Sequence, residues 1–227
     1  MVWFRPGWLR EGPGIDKDAP PKTGLALFFE IFEREFWQLL KLNLLFAVCA
    51  APLVTFGPAR AALSRCTVNM VRDLPNDVFY DFRQAMKRDF RRNAAVGLAE
   101  LFGIGLLLAA ASLPAVRESA ALSGGLLALA LLAALPLGYL WPMLAAVDLP
   151  ARAAARNALA LAFACPQHSL PALGVCGLIF GLCFGLLPLS LPLVLFVPFG
   201  IGSFVMSFAA WSDIRRLVIR NDSNGGI

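Results

Sequence analysis

Long apolar runs separated by short basic connections dominate this chain. No Asp, Glu, Lys or Arg falls between Asn157 and Ser212, and a second charge-free stretch runs from Ser119 to Val147. A bilayer core about 30 Å thick is crossed by roughly 20 apolar residues of α-helix, so the longer stretch can cross twice and the shorter once. Buried helices of water-soluble proteins carry polar faces and shorter runs, which leaves lipid as the solvent for most of the chain. Five apolar segments follow, at about 39–57, 94–116, 120–147, 170–187 and 189–211. Pro114 with Arg117-Glu118-Ser119 closes the second, and Pro188 with Pro192 marks a turn between the last two. Pro136 and Pro142 predict a kink in the third.

The first half is patterned differently. Thr23 is placed to cap a helix from about Gly24 towards Ala51, whose first turns set Phe28, Phe32 and Phe36 against Glu30, Glu33, Arg34 and Glu35. Trp37 and Lys41 suit the headgroup boundary. Asn43 then enters the apolar run, where its amide needs a partner; the backbone groups freed by Pro52 and Pro58 are nearest in sequence. A local bond that fixes helix packing is the simpler role for Asn43, and a ligand contact the alternative. Two prolines and Gly57 prevent uninterrupted α-helix over residues 52–58. That break, with Thr55 inside it, is either a simple turn outside the cytoplasm or a broken-helix site of the kind transporters use.

Two topologies are open. Either the first segment crosses once, or a helix ending near Ala51 is followed by a second from Pro58 to about Arg72, giving six helices and a cytoplasmic N-terminus. Pro58 fits a first helical turn and the tail is rich in Lys and Arg, which favours the second. The expected fold is thus all-α: a polytopic transmembrane bundle of five to six membrane helices plus a cytoplasmic amphipathic helix. Residues 1–22 read as a flexible polar tail, with Trp3, Phe4 and Trp8 able to rest at an interface. Residues 23–220 read as one membrane-embedded domain with a cytoplasmic arm at 73–92, and 221–227 as a short C-terminal tail.

Composition agrees, with 59% hydrophobic and 15% charged residues against roughly 45–50% and 25% in ordinary globular proteins. The net charge of +5 has its meaning in position. Arg60, Arg65, Arg72, Arg83, Lys87, Arg88, Arg91 and Arg92, then Arg152 and Arg156, then Arg215, Arg216 and Arg220 share one side; only Arg117 holds the other. The basic side, including the C-terminus, is expected in the cytoplasm. After Asn76, a candidate N-cap, Phe79, Phe82, Met86 and Phe90 recur at helical spacing among Arg83, Lys87, Arg88 and Arg91. Such a helix lies on anionic lipid or docks on a partner's membrane subunit. Nucleic acid fits poorly, because the aromatic face must be buried.

The run Leu42-Asn43-Leu44-Leu45-Phe46, then Pro52-Leu53-Val54-Thr55-Phe56-Gly57-Pro58-Ala59 with Ala61-Ala62-Leu63, then Met70-Val71-Arg72, resembles the YesL-like family of bacterial membrane proteins. Val78-Phe79-Tyr80-Asp81-Phe82-Arg83 with Lys87 and Phe90 extends the resemblance, which covers about residues 25–92. It implies a small multi-span protein of the bacterial cytoplasmic (inner) membrane, of a kind often encoded beside sugar-uptake and polysaccharide-degradation genes. Arg60 departs from the pattern, which leads one to expect a small or hydroxyl residue there.

Glu100 is the one clear intramembrane acid, costly there unless paired, hydrated or protonated, with Arg60, Arg65, Arg152 or Arg156 as candidate partners. Gly177, Gly181 and Gly185 form overlapping GxxxG motifs, expected to pack against another helix of the same chain ahead of a second copy. The five cysteines form no CxxC pair and read as small buried apolar residues. His168, the sole histidine, stands at a boundary with no acid near it in sequence. No HExxH, GxSxG or Walker-type run occurs and no metal or cofactor is expected. Two functions remain. One is a non-catalytic accessory protein, tied by the resemblance to the membrane subunits of a sugar importer, with homo-oligomers possible; the other is a small-molecule carrier or channel using residues 52–58, Asn43, Thr55 and Glu100. A membrane enzyme is the weakest reading.

Overall fold

A computed structural model describes residues 22–186, 194 and 196–219. The N-terminal tail apart from Lys22, the turn at Pro188 and Pro192, and the C-terminal tail lie outside the described residues. Among those described, every regular element is helical: α1 (Leu25–Ala50), α2 (Phe56–Val71), α3 (Val78–Lys87), α4 (Phe90–Ser112), α5 (Pro114–Glu118), α6 (Ala120–Ala146), α7 (Ala151–Ala164), α8 (Pro166–Gly185) and α9 (Pro198–Asp213), which passes into a π-helical turn, Ile214–Ile219.

Three of these, α4, α6 and α8, are long and apolar enough to cross a membrane, fewer than the five to six expected. The shortfall has plain causes. The first turns of α1 carry Glu30, Glu33, Arg34 and Glu35, with Lys41 farther on, so too little uncharged helix remains. The helices α2 and α9 have 16 residues each, a rise of about 24 Å.

The bundle is built around α2. Its Gly57, Ala59, Ala61, Ala62 and Ser64 are all buried, and it touches α1, α3, α4, α6 and α9. Small side chains allow this crowding. At Gly57 an added Cβ would stand 2.8 Å from the Asn93 carbonyl carbon and 3.0 Å from Gly97 Cα, so α2 and α4 meet backbone to backbone. Gly57, read from sequence as part of the break, thus lies inside α2 and serves helix contact. At Gly200 an added Cβ would stand 2.5 Å from Leu39 O, which makes the same demand where α9 meets α1.

Several local expectations are corrected. Gly24, with φ 61°, precedes α1 and no side chain caps that helix, so Thr23 is not its cap. Phe28 and Phe32 stack on Phe204 of α9 as well as on each other, so the apolar face of α1 is docked on protein. Asp77 caps α3, accepting from Tyr80 N at 3.1 Å, whereas Asn76 Nδ2 donates to Cys66 O. Asp89 takes a left-handed conformation at φ 51°, so α3 stops at Lys87 and Phe90 begins α4 instead of continuing the amphipathic arm. By contrast, Pro136 and Pro142 both lie inside one helix, α6, within the third apolar segment where sequence places them. The connection between the third and fourth apolar segments holds a helix not expected from sequence, α7, packed on α6 through Ala154, Ala158 and Leu161.

Basic residues gather at one end. Arg65 Nη1 donates to Ala145 O, Arg92 Nη1 to Leu149 O at 3.2 Å, and Arg88 pairs with Asp148. Arg34 pairs with Asp73 at 2.7 Å, and Arg72 lies over Trp211, 4.9 Å from the ring centroid. Arg117 sits beyond the far end of α4, whose 23 residues rise about 34 Å.

Candidate functional site

The break between α1 and α2 closes on itself. After Ala50 the backbone is extended at Pro52, makes a 3₁₀ turn over Leu53–Thr55 and enters α2. Thr55 Oγ1 lies 2.7 Å from Cys49 O, a carbonyl that the end of α1 leaves without a helical donor, and 2.8 Å from Pro52 O, which Thr55 N also reaches at 3.0 Å. Leu53 and Val54 are exposed, and Pro58 is buried in the first turn of α2.

Asn43 finds its partner on a different helix from the one its sequence neighbours suggest. Its Oδ1 accepts from Gly200 N at 2.7 Å and its Nδ2 donates to Val194 O at 3.4 Å. Gly200 is in the first turn of α9, where backbone N–H groups have no intrahelical acceptor, so Asn43 caps α9 from α1. Thr67 of α2 adds a second buried polar link to α9, 3.1 Å from Ser203 Oγ and 2.8 Å from Ser207 Oγ.

Between α2, α4 and α6 lies a charged centre. Arg60 Nη1 stands 2.6 Å from Glu100 Oε1, and Trp141 Nε1 donates to Glu100 Oε2 at 2.9 Å. The Arg60 guanidinium also lies 5.6 Å from the Trp141 ring centroid and 6.0 Å from that of Phe56. Of the four arginines that sequence offers Glu100, the structure selects Arg60. The Glu100 side chain is only 3% exposed against 33% for Arg60, so the pair reaches the surface through the arginine. With both carboxylate oxygens engaged, the cluster ties three helices together and is built for cohesion.

A second polar centre escaped sequence reading. Asp213, buried at the end of α9, accepts from Tyr139 Oη at 2.9 Å and lies 3.0 Å from His168 Nδ1. His168 is thus not solitary. Sequence places its acid forty-five positions away, but both residues sit at the same end of adjacent apolar segments, and that was the available signal. The carboxylate orients the imidazole as it does in acid–base catalysts. Among the described residues, however, no hydroxyl or thiol is hydrogen-bonded to the ring.

The arm residues divide. Phe82 is 2% exposed and packs in the core that holds Cys66 and Met70, so it is not a docking contact. Phe79 at 61%, with Tyr80, Arg83 and Lys87, faces outward, and Phe90 is part-exposed on α4. Among the described residues, Gly177, Gly181 and Gly185 meet no atom within 4 Å of an added Cβ, so the expected packing of this face of α8 within the chain is not seen there. No group of three His, Cys, Asp or Glu side chains among the described residues is placed to hold a metal ion.

Three long apolar helices and a set of interhelical polar bonds define the class, a helical membrane protein. Residues 39–110 match the model of a family described as a protein of unknown function, DUF624, a YesL-like family. No curated protein and no solved structure matches the chain. The matched span holds Asn43, the break at 52–58, and both Arg60 and Glu100; it leaves out Trp141, His168 and Asp213.

Proposed function

We propose that the protein is a non-catalytic accessory component of the bacterial cytoplasmic membrane that acts by contact with the membrane subunits of an oligosaccharide importer. One contrast carries the reading: interior polar groups bond to other parts of the bundle, while long apolar faces point outward. Phe102, Leu106 and Leu108 on α4 and Leu127, Leu129 and Leu132 on α6 are each more than half exposed. Such faces suit lipid or a neighbouring helix and offer a solute nothing polar. A carrier would need Asn43, Thr55 and Glu100 to exchange partners, and all three are engaged within the fold. The link to sugars comes from the family resemblance.

In this reading α1, α2, α4, α6, α8 and α9 are the six membrane helices, with α1 and α2 as a closely packed pair. The basic end, with both termini, faces the cytoplasm, a reading supported by the distribution of Lys and Arg. The exposed flank of α3 then lies at headgroup level.

Photocross-linking in native membranes tests this, from probe residues replacing Phe79 on α3 and Leu106 on α4. A defined importer subunit should be captured from at least one position. Lipid adducts alone from both would refute the proposal.

A further inference from the structure

The end of the bundle where the arginines gather holds a half-open cavity of about 460 Å³, within the range of small-molecule sites. Its walls come from α2, α3, the link to α4, α4 itself and the last turn of α6. Four cations line it, Arg65, Lys87, Arg88 and Arg92, against the carboxylates of Asp81 and Asp89.

The acids leave two of the cations uncompensated. Asp89 Oδ2 lies 3.0 Å from Arg92 Nη2, and Arg88 is drawn to Asp148 outside the cavity lining. Among the described residues, neither Arg65 nor Lys87 has a carboxylate within 4.0 Å. Arg65 is held by one bond to Ala145 O, which fixes a planar fork that has five N–H donors in all. Asn69 and Gln84 add neutral donors, and Ala61 and Leu144 an apolar wall. A fixed guanidinium beside an ammonium and amide donors matches the oxygens of a phosphate group. The Asp81 carboxylate in the same wall penalises a second negative charge, which favours a phosphate group in its singly charged form.

We propose that this cavity binds a phosphate group, with Arg65 and Lys87 as its direct ligands. The group can belong to an anionic phospholipid or to free phosphate. The site is independent of the accessory role proposed above, and its test uses no importer.

Full-length protein in detergent is measured by native mass spectrometry for retention of phosphatidylglycerol against phosphatidylcholine, and by thermal shift with inorganic phosphate. Wild type, Lys87→Gln, Arg65→Gln and Arg83→Gln are compared; Arg83 is on the same helix as Lys87 but does not line the cavity. Lys87→Gln should weaken binding about tenfold, the loss expected for one charge-assisted hydrogen bond, with Arg83→Gln close to wild type. Lys87 is exposed, so this variant keeps its fold if Arg65→Gln does not. Retention of phosphatidylglycerol that phosphate does not displace assigns the site to lipid. Stabilisation by phosphate that Lys87→Gln abolishes assigns it to the free ion. Equal losses in Lys87→Gln and Arg83→Gln, or no preference for either probe over phosphatidylcholine, would overturn the proposal.

Discussion

Replacing Gly57 with Ala is the most direct probe of how this bundle is held together. The new Cβ would stand 2.8 Å from the Asn93 carbonyl carbon and 3.0 Å from Gly97 Cα, whereas non-bonded carbons rest at about 3.5–4.0 Å. The Asn93 carbonyl oxygen is nearer still, so the backbone of α4 must retreat by at least about 1 Å, with no rotamer to absorb the change. Overpacking typically costs about 1–3 kcal/mol; two rigid partners place this case near the upper end, and the better helix propensity of Ala returns up to about 1 kcal/mol. A net loss of about 2 kcal/mol corresponds to a fall of about 4–8 °C in Tm for a chain of this size. Gly103→Ala, on the same α4 helix, is the control, since its Cβ meets nothing within 4 Å; it should be neutral or slightly stabilising. Thermal unfolding of detergent-solubilised protein, followed by circular dichroism, reads both. Equal Tm values for the two variants would refute the close α2–α4 contact.

Glu100→Ala should cost about 3 kcal/mol by leaving Arg60 without its partner; the double variant with Arg60→Ala should lose clearly less than the two single losses added, and strict additivity in thermal unfolding would contradict the coupling. Phe82→Ala should cost about 3–5 kcal/mol, while Phe79→Ala leaves Tm unchanged; the reverse order would remove α3 from the core. Asp213→Asn should lower Tm by weakening the links to both His168 and Tyr139, and Tyr139→Phe added to it should then cost little more, as a double-mutant cycle would reveal. Gly181→Leu should leave the monomer's Tm in place, any effect being confined to oligomeric state measured by light scattering; a collapse of the monomer would mean that face is packed after all.

Hydropathy located the helical segments well, because long uncharged runs have few soluble solutions. Thus α4, α6 and α8 begin and end within about four residues of the expected limits. The break after Ala50 and the second helix near Pro58 were equally legible, since proline chemistry is local. Partnerships were not. Asn43 reaches Gly200, Glu100 chooses Arg60 among four arginines, and His168 meets Asp213, all through helix placement that a period of 3.6 residues does not encode. Phe82 and Phe79 share a repeating aromatic pattern yet have opposite fates, because α3 packs on α2 through the face that holds Phe82 while Phe79 lies off that contact.

The pairing of Arg60 with Glu100 bears on biogenesis. An arginine at the centre of a membrane helix costs the insertion machinery about 2.5–3.5 kcal/mol, a cost that Arg60 meets if α2 crosses the bilayer as proposed above. The acid that neutralises Arg60 and the tryptophan that covers it are translated later, on α4 and α6. In that reading the central helix reaches its final environment only after α4, α6 and α9 have been synthesised, so the second helix made is among the last to settle.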